Sequence, residues 1–212
     1  YKQGYTWADY FAYDFPNRPE EAYRESFICV NRHYPLITKH FGQTQEDNDF
    51  FNDKGLFNRN FQDLKGIETL DLRVDTVSAL QEFLTRHEMF FAKTPDGMGG
   101  SGVKRFLLED FAGANAEEIY KQLQKSNYQI VEEAIQQHPE VAKLSENSVN
   151  TIRVVTCRDK SGNLEVPFVA SRISVTEAYV DNGSMGGAYC ILDAEGRVKH
   201  DYFTHLPVVK IY

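Results

Sequence analysis

The rhythm of apolar and polar positions changes several times along this chain, and each change predicts an element. Residues 5 to 15, YTWADYFAYDF, crowd aromatics together with no clear period of 2 or 3.6, the pattern of a segment lying across a core. After Pro19, residues Ala22, Phe27, Val30 and Tyr34 recur at near-helical spacing, with acids in the first turn and Gly42 past the end. An amphipathic helix, bent at Pro35, is expected there. QTQEDNDFFND is polar and rich in turn formers, and LFNRNFQDL and ETLDLR return to short mixed segments. Asp75 is placed to cap a helix through DTVSALQEFLTRH, where Val77, Leu80 and Leu84 share one face.

From about Glu88 the pattern becomes strand-like. EMFFAK is a short apolar and aromatic run that ends in Lys93, passes into the loop TPDGMGGSG and continues as VKRFLLED. A strand, a glycine-rich loop and a second strand make a β-hairpin, which differs from the strand-to-helix order of a P-loop. A helix in AEEIYKQLQKS, a strand in YQIVEEAI and a short helical or turn segment in HPEVAKLS follow. The remainder reads as a meander: NTIRVVTCRD and EVPFVASRISV flank the turn DKSGN, and GGAYCILD and RVKHDYF flank AEG. These changes predict a mixed helical lobe over 1–86, a subdomain with the glycine-rich hairpin over 87–136 and an antiparallel-sheet subdomain over 137–212. The fold class expected is α+β.

Composition narrows the classes of function. The 212 residues are 42% hydrophobic and 25% charged, the balance of a globular chain with a core. The net charge of −8, with no basic stripe, argues against nucleic-acid partners. No apolar run approaches the roughly 18 residues of a membrane-spanning helix. Three widely spaced cysteines and six histidines without metal-site spacing argue against a zinc enzyme and for a reducing, cytoplasmic compartment. The chain opens at Tyr1 with no initiator methionine and no leader pattern, so a trimmed chain is expected.

Four groups of residues carry candidate chemistry. Lys93 at a strand end, followed by Gly97, Gly99, Gly100, Ser101 and Gly102, has the makings of a phosphate cradle: glycines let backbone N–H groups approach oxygens, and the lysine adds a fixed charge. The same residues also suit a plain flexible hairpin loop. Glu132 and Glu133 end a strand whose backbone can pair with a purine edge, or they are an acidic lead into a helix. Asn150, Thr151 and Arg153 on one strand and Arg172 on its hairpin partner can form an anion clamp, or surface ion pairs. The loop from Asp181 and Asn182 to Gly187 either sets polar groups near a magnesium-bound phosphate or is a turn.

In this order and wording, the four groups resemble the sugar-transfer associated ATP-grasp family. The resemblance rests on the Lys93 loop, on IVEEAIQQHPEVAKLSENSVNTIRVVT, on SRISV with VDNGSMGGAYCILD, and on NDKGLFNRNF around Lys54. It implies an ATP-grasp-like two-lobe fold with ATP and Mg²⁺ in a cleft, under a glycine-rich hairpin lid and against an antiparallel meander sheet. It further implies that Lys54 and Lys93 bind the nucleotide beneath the Gly97–Gly102 lid, with Glu132 and Glu133 as the adenine and ribose hinge. Arg153, Arg172, Asn150 and Asn182 are implied around the γ-phosphate, the first three as the catalytic set.

The implied activity is that of an ATP-dependent ligase, activating a carboxylate as an acyl phosphate in glycan or surface-polymer biosynthesis. A non-catalytic nucleotide-binding scaffold for a sugar-transfer enzyme and a sugar kinase are the alternatives. The implied substrate is a small carboxylate or a sugar derivative. The family's late acidic metal-binding strand has no counterpart before the chain stops at KIY, so C-terminal truncation is expected and the metal ligands stay unassigned.

Overall fold

The computed structural model describes residues 4–204 apart from 28, 30–32, 34, 37, 40, 41, 43, 98, 147 and 178. The described residues form two compact units, one up to Phe50 and one from Phe51 to Thr204. In the first unit, helix α1 (Trp7–Ala12) is opened by a reciprocal cap between Thr6 and Asp9. It turns the aromatic-rich segment around Phe15, whose ring meets Tyr5, Tyr10, Tyr23 and Phe27 at centroid distances of 5.1 to 6.2 Å. The helix expected after Pro19 is seen as the short α2 (Glu21–Glu25). Among the described residues His33, Pro35, Leu36, Thr38 and Lys39 are helical again, whereas Val30 and Tyr34 lie outside the described residues.

Two segments expected to be turn-rich or mixed are helices, α3 (Gln45–Asn52) and α4 (Lys54–Asn60). Both are started by caps. Thr44 and Asp47 exchange hydrogen bonds at the first, and Asp53 accepts from the Leu56 N–H at 2.9 Å at the second. α3 buries no residue, so it carries no apolar stripe by which pattern reading finds helices.

The first sheet has the order β1-β4-β2-β3, with β1 (Thr69–Asp71), β2 (Met89–Lys93), β3 (Val103–Leu107) and β4 (Ile130–Glu133), all antiparallel. The expected strand VKRFLLED is thus cut short; Leu108–Phe111 form a 3₁₀ turn. Helices α5 (Val77–Arg86) and α6 (Ala116–Lys125) cover one face. Leu80, Phe83, Ile119 and Leu123 pack there on Phe90, Ala92, Phe106 and Val131. Thr76, not Asp75, caps α5 by accepting from the Ala79 N–H at 3.2 Å; the Asp75 carboxylate accepts from the Asp71 N–H instead. By strand alternation the other face carries Phe91, Lys93 and Glu132.

The short helix α7 (Pro139–Ala142) leads to the second sheet. That sheet is the expected meander: β5 (Thr151–Arg158), β6 (Leu164–Ser174), β7 (Gly187–Leu192) and β8 (Phe203–Thr204), in that order. The DKSGN turn closes as predicted, with Asp159 accepting from the Ser161 and Asn163 N–H groups at 2.8 Å. The last hairpin is looser than its sequence implies: RVKHDYF contributes one bridge, Val198 to Leu192, before β8 pairs with β7. A small core of Ile173, Ala188, Cys190 and Tyr202 holds the sheet, with the Tyr202 hydroxyl donating to Ser171 Oγ at 2.7 Å. These two antiparallel sheets with their helices are the α+β arrangement expected of an ATP-grasp-like chain.

Phe90 stacks on both Phe106 and Phe111, so Phe90→Ala is expected to cost about 3–5 kcal/mol in urea unfolding. A loss under about 1 kcal/mol would contradict this packing. A Cβ at Gly187 would sit 2.0 Å from the Asp181 carbonyl oxygen, so Gly187→Ala must move backbone; a loss of about 1–3 kcal/mol is expected in the same measurement.

Candidate functional site

The glycine-rich loop joins β2 to β3, and Thr94 closes it by donating its N–H to the Gly102 carbonyl at 2.9 Å. Gly99, Gly100 and Gly102 have φ of +65°, +85° and +69°, a backbone form that other residues adopt only under strain. The loop is therefore shaped by its glycines. Lys54, the first residue of α4, reaches it from below: its ammonium donates to the carbonyls of Thr94 at 3.0 Å, of Pro95 at 3.4 Å and of Gly97. Its backbone N–H donates to Pro95 as well. Burial, and then the neighbouring Lys93 ammonium, push the Lys54 pKa down.

Lys93 ends β2 and pairs with Glu132 in the adjacent β4. Lys65 reaches the same carboxylate at 2.8 Å, and Asn58 Nδ2 lies 3.5 Å from it. The Glu132 side chain is only 8% exposed. Burial by itself raises a carboxylate pKa, but the Lys93 and Lys65 ammoniums outweigh it and hold Glu132 below its usual range. Two cations on one anion leave a net positive charge beside the loop.

Beside this group is a cleft of about 160 Å³ lined by Phe91, Lys93, Val103, Glu132, Ile135, Val149, Tyr179 and Val180. Its walls are mainly apolar and aromatic. Tyr179 meets the Phe91 ring at 6.5 Å and carries the Arg105 guanidinium 4.3 Å from its centroid. Glu133 also borders the cleft, but alternation along β4 sends its carboxylate the other way, to within 3.6 Å of His87 Nε2. The two carboxylates therefore point to opposite faces of the sheet, and only that of Glu132 meets Lys93.

The second sheet supplies a larger hollow of about 450 Å³ lined by Arg153, Phe168, Arg172, Asp181, Asn182 and Tyr189, among others. Register explains the two arginines. Thr151 lies opposite Arg172 and Arg153 opposite Ala170, so all project from one face. Arg172 Nη2 donates to Asp181 Oδ1 at 2.9 Å, and the Thr151 hydroxyl donates to the same carboxylate. Arg153 is exposed and has no ion-pair partner among the described residues. Asn182 shapes the loop, its carbonyl accepting from the Met185 and Gly187 N–H groups, each at 2.9 Å.

Asn150 stands elsewhere. Its amide donates to the Val141 carbonyl at 2.8 Å and to Gln137 Oε1 at 3.1 Å, pinning the segment before β5. Its buried Oδ1 has no partner among the described residues. The glycine loop and the 180s loop face each other: a Cβ on Gly100 would lie 3.1 Å from Val180 and 3.6 Å from Met185.

The structure thus gathers Lys54, Lys93, Glu132 and the glycine loop at one place, sets Arg153, Arg172 and Asn182 at a second, and leaves Asn150 and the Glu133 carboxylate outside both. Lys65, Phe91 and Tyr179 carry no candidate role in the sequence reading, and Asp181, expected near a magnesium-bound phosphate, pairs with Arg172 and Thr151. Lys65 has no sequence signal, because it reaches Glu132 across 67 positions.

The two acids that the site gathers, Glu132 and Asp181, already have partners. Glu132 is engaged by two lysines and Asp181 by Arg172 and Thr151, so a hard dication would have to displace their partners. A family model for sugar-transfer associated ATP-grasp proteins matches residues 53–209, and domains of this kind generally bind ATP with Mg²⁺. No curated protein and no solved structure gave a match. No described helix is long and apolar enough to cross a membrane.

Three ion-paired carboxylates, Glu132 at the cleft and Asp53 and Asp71 beside α4, titrate below their usual range. Hydrogen bonds from Arg73 lower Asp53; at Asp71 burial acts upward, but Arg73 and Arg59 outweigh it; Glu132 follows the same logic with its lysines. Lowered folded-state values mean that the unfolded chain binds more protons in acid. This stability is present above about pH 5 and drains away as pH falls below about 4. Melting temperatures measured from pH 7 to pH 3 are expected to drop steeply at the acid end, and less steeply in Glu132→Gln. An unchanged melting temperature at pH 3 would mean that the ion pairs do not form.

Proposed function

Because the chain belongs to the sugar-transfer associated ATP-grasp family, which implies ATP binding, we propose that it holds ATP with the base in the Phe91–Tyr179 cleft and the phosphates under the glycine loop. The observation that carries this reading is the excess positive charge of Lys93 and Lys65 over Glu132, set between an apolar slot and glycines in left-handed conformations. Lys93 is the phosphate ligand. Lys54, occupied by loop carbonyls, is the strut that holds the lid.

Arg153 and Arg172, at the adjoining hollow, suit an anionic acceptor and the γ-phosphate. The reaction that matches is attack of a carboxylate oxygen on the γ-phosphorus, with ADP leaving, followed by attack of a nucleophile on the acyl carbon and release of phosphate. Its catalysis is positioning and charge stabilisation, for which these cations suffice on the protein's side. A sugar-derived carboxylate in glycan or surface-polymer assembly is the substrate class in keeping with the family's description.

Isothermal titration with ATP and Mg²⁺ is expected to show binding that Lys93→Ala weakens about 10–100-fold, as the loss of a charged hydrogen bond of about 1.5–3 kcal/mol requires. Equal affinity in Lys93→Ala would remove the reading. Lys54→Met is expected to speed amide hydrogen exchange across residues 94–102, which Lys93→Ala leaves nearly unchanged. Hydroxylamine added with carboxylate acceptors traps an acyl phosphate as a hydroxamate. A phosphorylated sugar hydroxyl would identify a kinase, and binding without ADP release a scaffold.

A further inference from the structure

The strongest unassigned cluster lies on the helix-covered side of the first sheet. Glu68, just before β1, His87, at the end of α5, and Glu133, at the end of β4, bring one ligand atom each to within 4.8 Å of one another. Both carboxylates converge on the same imidazole nitrogen: Glu68 Oε2 lies 2.8 Å and Glu133 Oε2 3.6 Å from His87 Nε2. A ring nitrogen carries at most one hydrogen, so it cannot serve two carboxylates with full hydrogen bonds. Among the described residues, the Glu133 carboxylate has no other ion-pair partner.

We propose that Glu68, His87 and Glu133 bind a divalent transition-metal ion of the zinc type. A tetrahedral ion with bonds of about 2 Å sets its ligand atoms about 3.3 Å apart, which falls between the two separations seen here. One imidazole and two carboxylates suit zinc, cobalt or nickel, and the fourth position is left to water. The ligands are held in place from behind. Arg86 donates to both Glu68 oxygens, closely from Nη2 to Oε1 at 2.5 Å and loosely from Nε to Oε2 at 3.3 Å, which fixes the carboxylate through Oε1 and leaves Oε2, the oxygen facing His87, the weakly held one.

The Glu133 N–H donates to the Glu68 carbonyl at 3.1 Å, and the His87 N–H to the Phe83 carbonyl at 3.2 Å. The His87 ring lies 4.4 Å from that of Phe83. Three separate elements supply the ligands, so the ion staples the end of α5 to the strand that borders the nucleotide cleft. The site shares no charged group with the ATP reading, and neither reading depends on the other.

The test is a titration of Zn²⁺ into the metal-stripped full chain. One ion per chain is expected, with affinity reduced at least about tenfold in His87→Ala and in Glu133→Gln, the effect typical of disturbing a metal's coordination shells. Glu133→Gln keeps size and shape, and circular dichroism checks that both variants remain folded. Co²⁺ in place of Zn²⁺ is expected to give visible absorption without a near-ultraviolet thiolate band. The proposal is overturned if wild type takes up no ion, if both variants bind as wild type does, or if a thiolate band places the metal at a cysteine.

Discussion

The buried carboxylate of Glu132 is the constraint around which the first sheet and its cleft are arranged. A charged group almost out of water is costly unless it is paired, and here Lys93 from the neighbouring strand and Lys65 from the segment before β1 do the pairing. The pairing holds Lys93 at the foot of the glycine loop while leaving one positive charge in surplus. One interaction thereby satisfies the fold and charges the site. Lys54 completes the arrangement by tying up the Thr94 and Pro95 carbonyls of the glycine loop.

A second ion network explains how Lys54 comes to lie there. Arg73 makes a two-pronged contact with Asp53 at 2.7 Å and also binds Asp71, which Arg59 reaches from α4. This fastens the start of α4 against β1. The approach is so close that a Cβ on Gly55 would sit 2.0 Å from Asp71 Oδ2, which leaves glycine as the residue that fits without displacing the ion pair. The second sheet uses the same device on a smaller scale, with Asp181 drawing Arg172 and Thr151 to one face of the hollow.

Legibility followed the range of the signal. The β2/β3 hairpin, α6 and the β5/β6 hairpin were readable because their periodicity and turn residues lie within a dozen positions. α3 and α4 were not, because α3 buries no residue and the two are announced only by their caps, the Thr44/Asp47 pair and Asp53. For the site, Lys93, the glycines and the Arg153/Arg172 pair were legible as residue types in a strand context. Their company was not, since Lys65 and Tyr179 reach the cleft from segments with no motif of their own.

The sequence by itself determined the rhythm of strands and helices, the glycines that shape one loop, and the motifs that carry the family resemblance. Tertiary structure decided which face each side chain serves. Alternation alone says that Glu132 and Glu133 point apart; packing of α5 and α6 on one side of β4 determines that the first joins the lysines and the second meets His87 and Glu68. The physical reason is that charge pairing and burial act between neighbours in space, and β-sheet pairing makes neighbours of residues whose separation along the chain carries no local pattern.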